Sequence, residues 1–164
     1  MKRGRLLMLL LGICIAASGC ATVKELTPLE RRAIESRDLN SSYDNAYRAT
    51  LTVLQDKGYK ITNSDYQGGV VSGTTEKQTS AVCIKGPLAY LFDISQGKYN
   101  SLDITITLEK YTDAITKMRL VITQHMYDEY NNYIGAKRIE KPEALQEYYS
   151  LIQKEIFMRE QLER

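Results

Sequence analysis

SLDITITLEKYTDAITKMRLVITQHM, Ser101–Met126, is the stretch whose reading decides the fold. Leu102, Ile104, Ile106 and Leu108 alternate with Asp103, Thr105, Thr107 and Glu109, and Met118, Leu120 and Ile122 alternate in the same way after Thr116. Successive side chains of a strand point to opposite faces, so this pattern predicts two strands, Ser101 to Lys110 and Thr116 to Met126, each with one dry face and one wet face. Centring the turn on Asp113 sets Leu108 opposite Met118, Ile106 opposite Leu120, Ile104 opposite Ile122, and Glu109 opposite Lys117. A slip of one residue would turn every apolar side chain of one strand to water, which makes this register the expected one. The sheet is thus antiparallel, and its dry face requires cover.

Cover is available on both sides of that stretch. Upstream, Tyr43 to Lys57 reads as an amphipathic helix: Tyr43, Ala46, Tyr47, Thr50, Leu51, Val53 and Leu54 share one side, with polar residues opposite. Ser41 with Asp44 suggests a capping box and Gly58 a stop. Tyr59 to Ser64 and Val70 to Thr75 read as strands joined by a turn through Asp65 to Gly69. Downstream, Tyr127 to Ile139 reads as irregular or extended. Pro142 to about Glu160 reads as a second helix, with Leu145, Tyr148, Tyr149, Ile152 and Ile156 in one stripe. Leu151 and Met158 lie outside that stripe and either cover a sheet edge or meet a partner.

The beginning of the chain has a different character. Lys2, Arg3 and Arg5 precede an apolar run from Leu6 to Ala17, which is the pattern of a secretory signal and too short for a comfortable bilayer span. The run closes in Ala17-Ser18-Gly19-Cys20, which resembles the lipobox of bacterial lipoproteins. The resemblance implies a thioether-linked diacylglycerol on Cys20, cleavage before it and N-acylation of the freed amine. Two or more acyl chains anchor stably where one holds marginally. Ala21, by resemblance to known sorting signals, implies the outer membrane, facing the periplasm. The alternative is an ordinary signal peptide with Cys20 a plain thiol.

A second resemblance lies in Tyr43 to Thr75, carried by Leu54, Gln55, Asp56, Gly58 and Tyr59, with Gly69 and Val70 after them. It is similar to a pattern in uncharacterised small bacterial envelope lipoproteins. More distantly, in order of elements alone, the chain resembles the helix-grip domains of the C lipoprotein of the outer-membrane β-barrel assembly machinery. Such element-order likeness says little about activity.

Removing residues 1–19 leaves one domain's worth of chain. Lys2, Arg3 and Arg5 leave with the signal, so the +2 charge of the whole falls to near neutrality and no basic excess argues for nucleic acid. Of three cysteines, Cys14 departs and Cys20 would be alkylated, leaving Cys83 as either a small buried side chain or a thiol that is reactive or forms an intermolecular disulfide. His125, the single histidine, falls at the frayed end of its strand without a flanking motif. Gly68-Gly69 and Gly73 lack the strand-to-helix setting of a phosphate loop. No cofactor or metal motif is present, and the carboxylates fall on wet faces without a distinguishing spacing.

Two stretches bear on contact. Leu88 to Phe92, with Leu88 and Phe92 at its ends, is either core or an apolar patch suited to a partner or a lipid surface. Tyr130 and Tyr133, among asparagines, either stack on a sugar or pack on their own domain as turn residues.

The expectation is an α+β domain over residues 41–164, after a signal at 1–19 and a lipidated tether at 20–40 that has at most a helical turn or two after Pro28 and ends in a short extended piece around Arg37-Asp38-Leu39. Its sheet is mostly antiparallel, four- to five-stranded, with two helices packed on one face in a helix-grip-like arrangement. The expected function is that of a non-enzymatic, membrane-anchored envelope lipoprotein acting as a scaffold or an accessory in outer-membrane or envelope assembly, with an envelope protein partner. The alternative is a periplasmic module binding a small lipid, glycan or peptide between helices and sheet, in a pocket lined by Tyr47, Tyr148 or Phe157.

Overall fold

In the computed structural model, which describes residues 26–79 and 98–162, the alternating stretch becomes the spine of the sheet. In chain order the elements are α1 (Pro28–Glu35), β1 (Ser36–Leu39), α2 (Tyr43–Asp56), β2 (Lys60–Asp65), β3 (Val70–Thr74), β4 (Gln78–Thr79), β5 (Tyr99–Lys110), β6 (Thr116–Tyr127), β7 (Tyr133–Arg138) and α3 (Pro142–Leu162). β5 and β6 pair in the expected register, Leu108 with Met118, Ile106 with Leu120, Ile104 with Ile122 and Glu109 with Lys117, and the pairing runs on to Tyr99 with Tyr127. Every pairing in the sheet is antiparallel.

Each spine strand carries two short neighbours end to end. β3 and then β4 line β5, while β1 and β7 line β6, and β2 closes the far edge in the order β1-β6-β5-β3-β2. The fold is α+β, as expected, but among the described residues the sheet has seven strands rather than four or five, and a third helix precedes it. The dry face presents Val71, Ile104, Ile106, Leu108, Met118, Leu120 and Ile122, and α2 and α3 answer with Ala46, Ala49, Val53, Leu54, Leu145, Ile152 and Ile156. Fully burying one such aliphatic side chain contributes about 1.5–3 kcal/mol, so this interface is the main source of stability. α2 and α3 run antiparallel, tied by Lys57 to Glu147 (3.1 Å) at one end, by Asn45 to Glu160 (3.5 Å) at the other, and by Arg159 to Thr52 (2.7 Å) between. The helices share one core cluster; none of them packs on the opposite face, where Asp103, Thr105, Thr107, Glu109 and Lys117 are exposed.

Two expectations for the N-terminal part are corrected. The cap of α2 is Ser42, whose hydroxyl accepts from the Asn45 amide, whereas Ser41 is buried and its carbonyl accepts from the Thr116 hydroxyl at 3.0 Å. More consequentially, the helical turns after Pro28 and the extended piece at Arg37-Asp38-Leu39 are there as expected, but they are built into the sheet and do not serve as a spacer. Thr27 and Glu30 form a capping box that starts α1 right at Pro28, and β1 pairs with β6 from Ser36–Arg119 to Leu39–Thr116. Leu39 is in the core. Glu35, at the corner between α1 and β1, is 1% exposed, and its carboxylate takes Arg119 Nη2 at 3.1 Å and Arg138 Nη2 at 2.6 Å. The Tyr149 hydroxyl donates to the Glu35 carbonyl. Glu35 therefore joins α1 to β6 and β7 through its carboxylate and to α3 through its carbonyl.

Candidate functional site

Extending the spine register two residues past Ser101 and one past Met126 brings aromatic rings together. Tyr99 stands opposite Tyr127, and Tyr127 opposite Tyr133, so three adjacent strands each put a tyrosine in one row on the open face. The Tyr127 and Tyr133 rings meet edge to face, with centroids 5.8 Å apart and planes at 66°. The next row holds Ser101, His125 and Ala136. His125 is therefore inside β6, not at a frayed end, and its ring lies 6.0 Å from that of Tyr133. His125 Nε2 is 3.0 Å from Asp103 Oδ2. Neither side chain of that pair meets a hydroxyl or thiol nucleophile in any hydrogen bond between described residues.

The turn between β6 and β7 is held by one carboxylate. Asp128 Oδ1 accepts from the amides of Tyr130 (2.9 Å) and Asn132 (2.8 Å), and Oδ2 accepts from the Asn132 side-chain amide (2.9 Å). The Asn132 side-chain donor, followed by these backbone donors, holds the Asp128 carboxyl below the usual carboxylate range. Asn131 takes φ 68°, a conformation asparagine tolerates better than most residues. Lys77 reaches over from the approach to β4, placing Nζ 3.7 Å above the Tyr127 ring and donating to Asn131 Oδ1 at 3.0 Å. The result is a cleft of about 430 Å³ lined by Lys77, Tyr99, Glu129, Tyr130 and Asn131.

Tyr130 and Tyr133 thus lie at the same end of the open face, 78% and 58% exposed. Tyr99, Tyr127 and Lys77 were not among the residues expected at a site. The signal for the two tyrosines was present, since the register drawn about Asp113 already pairs residue 99 with residue 127. Leu88, Phe92, Cys20 and Cys83 lie outside the described residues.

Of the three residues expected to line a pocket between helices and sheet, Tyr47 borders a hollow of about 510 Å³ with Asp44, Arg48, Leu51 and Tyr66, at the surface of α2. Tyr47 and Tyr148 are buried, the former bonded to the Ser64 hydroxyl at 2.7 Å and the latter to the Tyr59 hydroxyl at 2.8 Å, while Phe157 points to solvent at 59% exposure. Burial pushes both Tyr59 and Tyr148 above the ordinary phenol range, Tyr59 most strongly. A second aromatic group, Tyr43, Tyr47 and Tyr66, sits under the turn between β2 and β3, where the Tyr43 hydroxyl donates to the Tyr66 carbonyl. Those contacts anchor the turn. Among the described residues no group of three or more His, Cys, Asp or Glu is arranged to hold a metal ion.

No protein-family model matches the chain, and no curated protein matches it.

Proposed function

We propose that the chain is an envelope lipoprotein, held by acyl chains on Cys20 and acting by contact with a neighbouring envelope component rather than by catalysis. The observation that carries this reading is the sequence Ala17-Ser18-Gly19-Cys20 placed directly behind a basic and then apolar segment. Ala21 supports the outer membrane as its destination, facing the periplasm. A core closed by Tyr47, Tyr148 and their hydroxyl partners supports recognition on the surface, and weighs against a ligand held between helices and sheet. The sheet face on which none of the described helices packs is the surface such contact would use.

The test is Cys20→Ser with metabolic acyl labelling and membrane fractionation. The variant is expected to lose label and to become a soluble periplasmic protein or an uncleaved precursor. A variant that is still processed, acyl-labelled and membrane-bound would refute the reading. Crosslinking in intact cells then asks for the contact itself, and a reproducible envelope complex is the expected product.

A further inference from the structure

We propose that the tyrosine end of the open sheet face is a binding site for a saccharide chain. The proposal deepens the contact reading by naming what is contacted, and relies on it only for where such a chain would be met.

Three observations converge on this class of ligand. First, the rings are left in water on a fixed backbone. Tyr59 and Tyr148 are buried with their hydroxyls paired to each other, and Tyr47 is buried with its hydroxyl paired to Ser64. Tyr66 and Tyr111 are exposed singly at the other end of the sheet, whereas Tyr130 and Tyr133 stand together, 78% and 58% exposed, beside a turn that Asp128 pins with three hydrogen bonds. A rigid exposed ring offers a stacking face with little ordering cost on binding. Second, the groups between the rings are hydrogen-bonding ones. The cleft puts an ammonium (Lys77), an amide (Asn131) and a carboxylate (Glu129) around the Tyr130 ring, which supplies donors and acceptors in several directions. Sugar rings need that combination, apolar C–H faces with hydroxyls at the rim. Third, the row Tyr99, Tyr127, Tyr133 crosses three strands, a length of roughly 10 Å, which suits a run of linked rings more than a single one.

The same features disfavour other partners. A protein-docking core is depleted in charge, whereas Lys77 and Glu129 stand inside this cleft. Anionic lipid or nucleic acid wants a positive surplus, and here one lysine is matched by Glu129 with Asp128 next to it.

The experiment uses the full chain purified in detergent and sedimented with two insoluble polymers, chitin and protein-free bacterial cell-wall sacculi, with soluble chito-oligosaccharide as competitor. Retention on at least one polymer, reversed by the competitor, is expected. Tyr130→Ala and Tyr133→Ala, at exposed positions, should each weaken retention about five- to tenfold, the size of one lost stacking contact. Tyr111→Ala, 62% exposed at the opposite end of β5, should change nothing. Unchanged thermal unfolding of all three variants certifies the fold. Wild type that sediments with neither polymer, equal loss in Tyr111→Ala, or retention that salt abolishes and an anionic resin reproduces would each overturn the proposal, as would capture by proline-rich peptide columns alone. Because the measurement needs no lipid, loss of acylation in Cys20→Ser leaves it untouched, so the two readings fail separately.

Discussion

Glu35 shows how far a residue's role can lie from its neighbourhood in the chain. It closes a charge-rich stretch after Pro28 that reads as solvated, yet its carboxylate is buried against Arg119, separated by 84 residues, and Arg138. No local pattern announces such a partner, because the pairing exists only once β1 and β7 both lie along β6. Removing one member of a buried ionic group leaves the others poorly compensated. Both arginines keep some contact with water, so Glu35→Ala is expected to lower stability by about 3 kcal/mol, the low end of that effect, in urea denaturation; a loss below about 0.5 kcal/mol would mark the group as an ordinary surface pair. The buried tyrosines give a second expectation. Tyr59, Tyr148 and Tyr149 are all raised, mainly by burial, whereas unfolded tyrosines ionise near pH 10. Above about pH 10 the unfolded chain therefore carries fewer protons than the native one. Their contribution is complete below that pH and drains away as pH rises toward the folded values. The tyrosinate absorbance of Tyr59, Tyr148 and Tyr149 should appear only with loss of the native circular dichroism. A single phase complete before unfolding would contradict the buried hydroxyl pair.

At the scale of elements, what could be read from sequence was whatever had a dry side. α2, α3, β5 and β6 each pack one face on the core, so each carries its period in plain view, and the register of the spine followed from pairing like with like. β7 has no such period: Tyr133, Ile134, Ala136 and Lys137 are all exposed, and a bulge at Met126/Tyr127 breaks its register, so it reads as irregular. β4 is two residues long, below the length at which alternation can be recognised, and β1, at four, reads as an extended piece without showing which strand it joins. The tyrosine row fell between these cases, since two of its members lie on the spine and the third on β7. Two glycines distinguish conformational need from contact. Gly58, at φ 81°, has open space where a Cβ would stand, so Gly58→Ala is expected to cost only the left-handed backbone penalty, about 1 kcal/mol. Gly69 sits at φ 68° in the turn before β3, and a Cβ there would lie 2.1 Å from the Leu108 carbonyl oxygen, while the Leu108 amide donates to the Gly69 carbonyl at 2.7 Å. Gly69→Ala must therefore push β3 off β5, with an expected loss of about 3 kcal/mol. Equal midpoints for the two variants in urea would show that the close approach at Gly69 relaxes at no cost.

For the whole molecule the decisive point is where the packed unit begins. Residues 20–40 looked like a leash, but α1 and β1 occupy 28–39 and are built into the sheet, so only the few residues from Cys20 to Thr27 separate the proposed lipid from the first capping box. Even fully extended, that length reaches only about 25 Å, which would hold the domain close to the bilayer rather than letting it range. Composition did not reveal this, because β1 exposes three of its four side chains and only Leu39 turns inward. The consequence is testable by shortening the chain from its start. A protein beginning at residue 26 is expected to unfold at the same urea midpoint as the full chain. One beginning at residue 41 loses the buried Leu39, leaves the Arg119 and Arg138 guanidinium groups without Glu35, and bares the β6 edge that β1 covers. Adding a lost core side chain to a broken ionic group gives about 5 kcal/mol, comparable with the whole stability of many domains, and an uncovered strand edge invites pairing between copies. The shorter protein should therefore be largely unfolded or aggregated in size-exclusion chromatography at concentrations where the longer one is monodisperse. Matching elution and matching midpoints for the two would mean that α1 and β1 are attached to the domain without supporting it, and that the leash is long after all.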